Sequence, residues 1–138
     1  MLGVRHDFFP LPNPEFGTLP KTGQFVFDKK RLTPLLIDTG ADVSVIPRCL
    51  CKPYDEIEAS EPIILKGISG KLVSTGTITC KLDLDLGEDF HHKFFVVDLK
   101  MTHMIAGVDF MITNQLYPIL HRKVFVHEKT GRLWSRKA

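Results

Sequence analysis

"LLIDTGADVSVIP" occupies residues 35–47. Three large apolar residues, Leu35, Leu36 and Ile37, run straight into an ionisable side chain, Asp38. A threonine, Thr39, and a glycine, Gly40, follow, and the apolar pattern resumes at Val43. A carboxylate beside a buried strand is costly unless something uses it. Gly40 allows the backbone to pass close to another backbone or to a ligand, and the Thr39 hydroxyl both donates and accepts. The stretch therefore predicts a strand that ends at Asp38, a tight turn, and a second strand with Val43 and Val45 on one face that stops at Pro47. A carboxylate projecting from a rigid turn next to a core suits catalysis better than decoration.

The flanking sequence extends the β reading. Phe25 and Phe27 alternate with Val26, "DKKR" breaks the run, and the chain returns through Leu35–Ile37, which predicts a hairpin. Residues 48–60 show no period and read as loop. Ile63–Leu65 and Leu72–Val73 flank "KGISGK", a glycine-rich turn. Ile78, Cys80, Leu82, Leu84 and Leu86 then recur at every second residue, a β period. "HHKFFVVDLK" reads as a further strand, a short helix is expected near Asp109–Leu116, and a last hairpin around Lys129–Gly131. The fold class is all-β, with many short strands and one short helix.

Composition excludes several classes. In 138 residues, 43% are hydrophobic and 25% charged, as in ordinary globular chains, and the net charge of +2 is too small to argue for nucleic acid. No apolar run approaches a membrane span. The first twenty residues hold Pro10, Pro12, Pro14 and Pro20 together with Asp7 and Glu15, which reads as an extended lead-in rather than a signal peptide or a packed element. Cys49, Cys51 and Cys80 make a poor disulfide framework and lack a second pair for zinc, so reduced thiols in an intracellular protein are expected.

One carboxylate rarely does acid–base chemistry on a peptide alone. Two that share a proton suffice: one stays charged and takes a proton from water, and the other protonates the carbonyl oxygen.

At these residues the sequence resembles the retropepsins, the aspartic proteases of retroviruses and long-terminal-repeat retrotransposons, and among them the Ty3/Gypsy type. "FVFDKKRLTPLLIDTGADVSVIP" resembles the first hairpin and active-site turn, "IILKGISGKLVSTG" the flap hairpin, and "FHHKFFVVDLKMTHMIAGVDF" the strand leading into the second, apolar-apolar-Gly motif. Together they span about residues 24–116. The resemblance implies a partly closed barrel acting as a homodimer, and a catalytic role for Asp38. It implies that Thr39 braces the two active-site turns across the dimer and that Gly40 helps hold substrate. Ala41, Asp42 and Ile105 would lie beside the substrate, and Ile68, Ser69 and Gly70 would form the tip of a closing flap. Gly107 would pack beneath the active-site loop. Two departures stand out: Ala106 replaces a larger aliphatic residue, and Val108 stands where retroviral members often carry an arginine. The chain holds a single Asp-Thr-Gly, so the dyad implied by the resemblance takes one Asp38 from each of two chains.

Other candidates are weaker. His91 and His92 are neighbours in a strand, point to opposite faces, and read as surface histidines. His103, His121 and His127 have no evident Cys or Ser partner. "LKGISGKL" lacks the phosphate-loop pattern, and the basic C-terminal stretch around Trp134 reads as a solvated tail. The expected organisation is a lead-in over 1–20, a protease domain over 21–120 and a hairpin with basic tail over 121–138. The expected function is an endopeptidase without metal or cofactor, acting on an extended polyprotein in the cytoplasm or in retrotransposon particles, with no membrane or nucleic-acid partner. The alternative is a retropepsin-like dimeric binding module without turnover.

Overall fold

The structure is a computed structural model that describes residues 6–7, 24–67, 70–119 and 124–135. Its elements are β1 (His6–Asp7), β2 (Gln24–Asp28), β3 (Thr33–Ile37), β4 (Val45–Pro47), a single 3-10 turn (Arg48–Leu50), β5 (Glu58–Gly67), β6 (Gly70–Leu82), β7 (Phe90–Val97), β8 (Met104–Ala106), α1 (Val108–Asn114), β9 (Leu116–Ile119), β10 (Val124–His127) and β11 (Arg132–Ser135). The chain is thus mostly β with one short helix, as the periodicities indicate. Eight strands form one sheet in the order β1-β5-β6-β7-β4-β8-β3-β2, and three form a second in the order β11-β10-β9. The end strands β1 and β2 do not pair with each other, so among the described residues the large sheet is open.

The run Leu35–Ile37 has a simple cause. β3 lies inside the sheet, antiparallel to β2 on one side and parallel to β8 on the other. Both of its faces are covered, and a strand covered on both faces reads as continuous apolar sequence. Leu35 and Ile37 join a core with Ile46, Phe90, Phe94, Ala106 and Phe110. Leu36 points the other way, into a second cluster with Ala41, Val43, Val45, Leu65 and Ile105. The five alternating residues from Ile78 to Leu86 are all buried in the first cluster, although β6 ends at Leu82.

The β2–β3 turn is held by Asp28, which is fully buried. Its carboxylate accepts from the backbone N–H groups of Lys30, Arg31 and Asp83. Arg31 then reaches the loop after β4, forming a bidentate pair with Asp55 at 2.9 and 2.7 Å. Each partner shifts the other: the Asp55 hydrogen bond holds the guanidinium pKa up, and Arg31 holds the Asp55 carboxyl down.

The expected flap hairpin is present. β5 and β6 are antiparallel up to Gly67↔Gly70, and Ile68 and Ser69 lie outside the described residues. β5 begins at Glu58, inside the stretch expected to be loop. Within the lead-in, His6–Asp7 pair in parallel with Leu65 and Lys66 of β5. The hairpin of β10 and β11 is joined by β9 into a sheet that docks on the large one. His127 packs edge-on to Phe90 at 4.9 Å between ring centroids, and the Thr130 hydroxyl donates to Leu86 O at 3.1 Å. No described helix is long and apolar enough to cross a membrane.

Candidate active site

β3 delivers Asp38 to the edge of the core. Its backbone N–H donates to Ala106 O at 3.0 Å, continuing the parallel β3–β8 pairing by one residue. The turn then closes on itself: Ala41 N–H donates to Asp38 O at 3.2 Å, and Gly40 N–H donates to the Asp38 Oδ1 at 2.8 Å. The carboxylate is half-buried, and burial raises its pKa above the ordinary aspartate value despite the opposing Gly40 N–H. Such a group is poised to hold or share a proton.

The second wall of the site is the β8–α1 junction. Val108 N–H donates to Ala41 O at 2.8 Å and Asp109 N–H to Asp42 O at 3.2 Å. Gly107 sits where the two segments touch. A Cβ there would lie 2.5 Å from Val43 O and 2.6 Å from Ala41 O, so this contact requires glycine. Beside it, the Ser44 hydroxyl accepts from Gly107 N–H at 2.9 Å and donates to Asp109 Oδ1 at 2.7 Å.

The residues singled out in the sequence fall into three groups. Asp38, Gly40 and Gly107 come together around one loop. Thr39 and Asp42 are exposed on it, and the Thr39 hydroxyl forms no hydrogen bond among the described residues. Ala41 and Ile105, by contrast, are fully buried, so within one chain their side chains present no surface to a substrate. Both backbone polar groups of Ala41 are also engaged internally. Ala106 is fully buried as well, so the smaller side chain leaves no opening to solvent. Leu65, two residues before the end of β5 at the flap turn, packs in the same cluster as Ala41, Val43 and Ile105, which sets the hairpin against the site loop.

Two features escaped the sequence reading. His92 is not a surface histidine: its side chain is only 9% exposed, and Nε2 lies 2.9 Å from Asp109 Oδ2. Asp109 reads in the sequence as the start of a helix and as part of the "GVDF" that closes the third resembling stretch, with no partner assigned to it. Burial alone would raise its pKa, but hydrogen bonds from His92, Ser44 and the Phe110 N–H outweigh that and hold the carboxyl below the ordinary value. The alternation of β7 carried the signal, since Phe90, His92 and Phe94 share a face, and the two phenylalanines are core residues. Among the described residues no three His, Cys, Asp or Glu side chains gather to hold a metal ion, and the three cysteines are free thiols.

The fold is that of a retroviral protease. The solved structure of EIAV protease complexed with the inhibitor HBY-793 superposes with a TM-score of 0.56, over 77% of this chain and 99% of that one, at 18% sequence identity. No family model and no curated protein matches the chain.

The raised Asp38 pKa has a stability consequence. Below the ordinary value of 3.8 the group is protonated in both folded and unfolded chains. As pH rises through the interval up to the folded value, the folded state resists ionisation and loses stability. Asp38→Asn, which keeps an acceptor for Gly40, is therefore expected to melt higher than the parent near neutral pH, with the gap closing in acid. Thermal melts of both proteins across pH read this directly, and a lower melting temperature for the variant at neutral pH would contradict it.

Proposed function

We propose that the chain is an aspartic endopeptidase that works as a homodimer. Asp38 of each protomer contributes one carboxylate to a shared site, where a water is activated and attacks the peptide carbonyl. The observation that supports this best is Asp38 itself: a single half-buried carboxylate with a raised pKa, fixed at the end of β3 on the fold of a retroviral protease. The substrate is an extended polypeptide lying between the Asp38 pair and the flap hairpins as an added strand. The outer edge of β5 already accepts an extended segment of this chain, β1, just before the flap turn. The sequence resemblance points to the polyprotein of a Ty3/Gypsy-type retrotransposon as that substrate, and to the cytoplasm or the retrotransposon particle as the place.

The test is cleavage of a denatured protein by the purified chain across pH. Activity should rise and then fall as the pair passes through its singly protonated form. Chelators should leave it unchanged, and a statine-type peptide, whose hydroxyl takes the place of the attacking water, should inhibit. A folded, dimeric protein that binds extended peptides and cleaves none of them would replace this reading with that of a binding module.

A further inference from the structure

We propose that His92 is a positioning residue for the active-site loop, holding the Asp109 carboxylate that clamps Ser44 and, through the Ser44 hydroxyl, Gly107. This rests on the reading of Asp38 as the catalytic group.

The loop that carries Asp38 is fixed at its far end by Ser44, and Ser44 is fixed by Asp109. Asp109 Oδ1 accepts from the Ser44 hydroxyl at 2.7 Å and from Phe110 N–H at 2.7 Å. Its Oδ2 accepts from Ser44 N–H at 3.2 Å and faces His92 Nε2 at 2.9 Å. An ionised carboxylate only accepts, so His92 Nε2 carries the proton and donates. The His92 donor is thus the short contact on Oδ2, and it comes from β7, a strand outside both the loop and α1.

The imidazole is itself held. It packs edge-on to Phe94 at 5.6 Å and to Phe110 at 5.3 Å between ring centroids. Its Nε2 is therefore aimed by the core, and through Asp109 the core aims Ser44. The Ser44 hydroxyl passes the constraint to Gly107 N–H at 2.9 Å. Gly107 adjoins Ala106, whose carbonyl accepts from Asp38 N–H. Removing the donor loosens a chain of contacts that ends at the catalytic backbone, without touching substrate.

Two variants separate the hydrogen bond from the ring. His92→Phe keeps the aromatic packing and loses the donor, whereas His92→Gln keeps an N–H of similar reach. In folded dimers, with active sites counted by titration with a tight inhibitor, His92→Phe should lower kcat by about tenfold or more while KM stays within about twofold. His92→Gln should recover most of that loss. In parallel, amide exchange at Ser44 and Gly107 should quicken about tenfold in His92→Phe and return towards the parent rate in His92→Gln. Unchanged kcat per titrated site in His92→Phe, or equal damage from both variants, overturns the proposal. If the parent protein shows no proteolysis, the functional reading fails, and the exchange rates decide on their own whether His92 positions the loop.

Discussion

Replacing Asp38 by asparagine is expected to lower proteolysis by at least about a thousandfold and to leave the fold intact. The amide keeps an oxygen for the Gly40 N–H that now donates to Oδ1 at 2.8 Å, so the turn has no reason to open. An amide can neither share a proton with a second carboxylate nor take one from water. The same variant tests whether the site spans two chains. With parent chains held constant and an equal amount of Asp38→Asn chain added under exchanging conditions, random pairing leaves roughly a quarter of the dimers fully parental while the number of dimers doubles. Activity should fall to about half. It should be measured well above the dimer dissociation constant, since below it the variant would also capture free parent monomers. An unchanged rate, with exchange confirmed independently, would place a complete site in each chain and rule out the two-chain mechanism.

The loop around Asp38 was legible because burial writes itself into sequence as a period. Leu35–Ile37 read as an unbroken apolar run because β3 is covered on both faces, and the alternation from Ile78 to Leu86 read as β because every second residue faces one core. Polar partnerships leave no such period. Arg31 and Asp55 sit in polar stretches that read as a turn and a loop, and nothing in either stretch points to the other. His92 and Asp109 join a strand to a helix, and the adjacent His91 made the pair look like a solvated doublet. A polar residue at a core-facing strand position is costly without a partner. Phe90 and Phe94 on either side of His92 therefore announced a partner, though not which one. Ala41 and Ile105 show the converse. Their proximity to the site loop followed from the resemblance, but whether a side chain near a site faces the core or the ligand depends on the layer it joins.

The contact that most constrains the site is the one at Gly107, and its replacement by alanine carries the largest expected effect on folding. The added Cβ would lie 2.5 Å from Val43 O, 2.6 Å from Ala41 O and 2.8 Å from the Val43 carbonyl carbon. All three are backbone atoms, so no side chain can swing aside. Either the loop lifts from the β8–α1 junction, losing the bonds from Val108 N–H to Ala41 O and from Gly107 N–H to the Ser44 hydroxyl, or the chain fails to fold. Overpacking of this kind costs roughly 3 kcal/mol or more, a large share of the roughly 5–15 kcal/mol that stabilises a typical domain. Gly131 provides the comparison. It has a φ of +69°, and nothing lies within 4 Å of where an added methyl would sit, so Gly131→Ala meets only the left-handed backbone penalty of about 1–2 kcal/mol. Denaturant unfolding of the two variants should rank them in that order with similar slopes. If Gly107→Ala is no less stable than Gly131→Ala, the loop is not pressed against the junction. If it is less stable yet fully active in its folded fraction, the junction supports the fold without setting the position of Asp38.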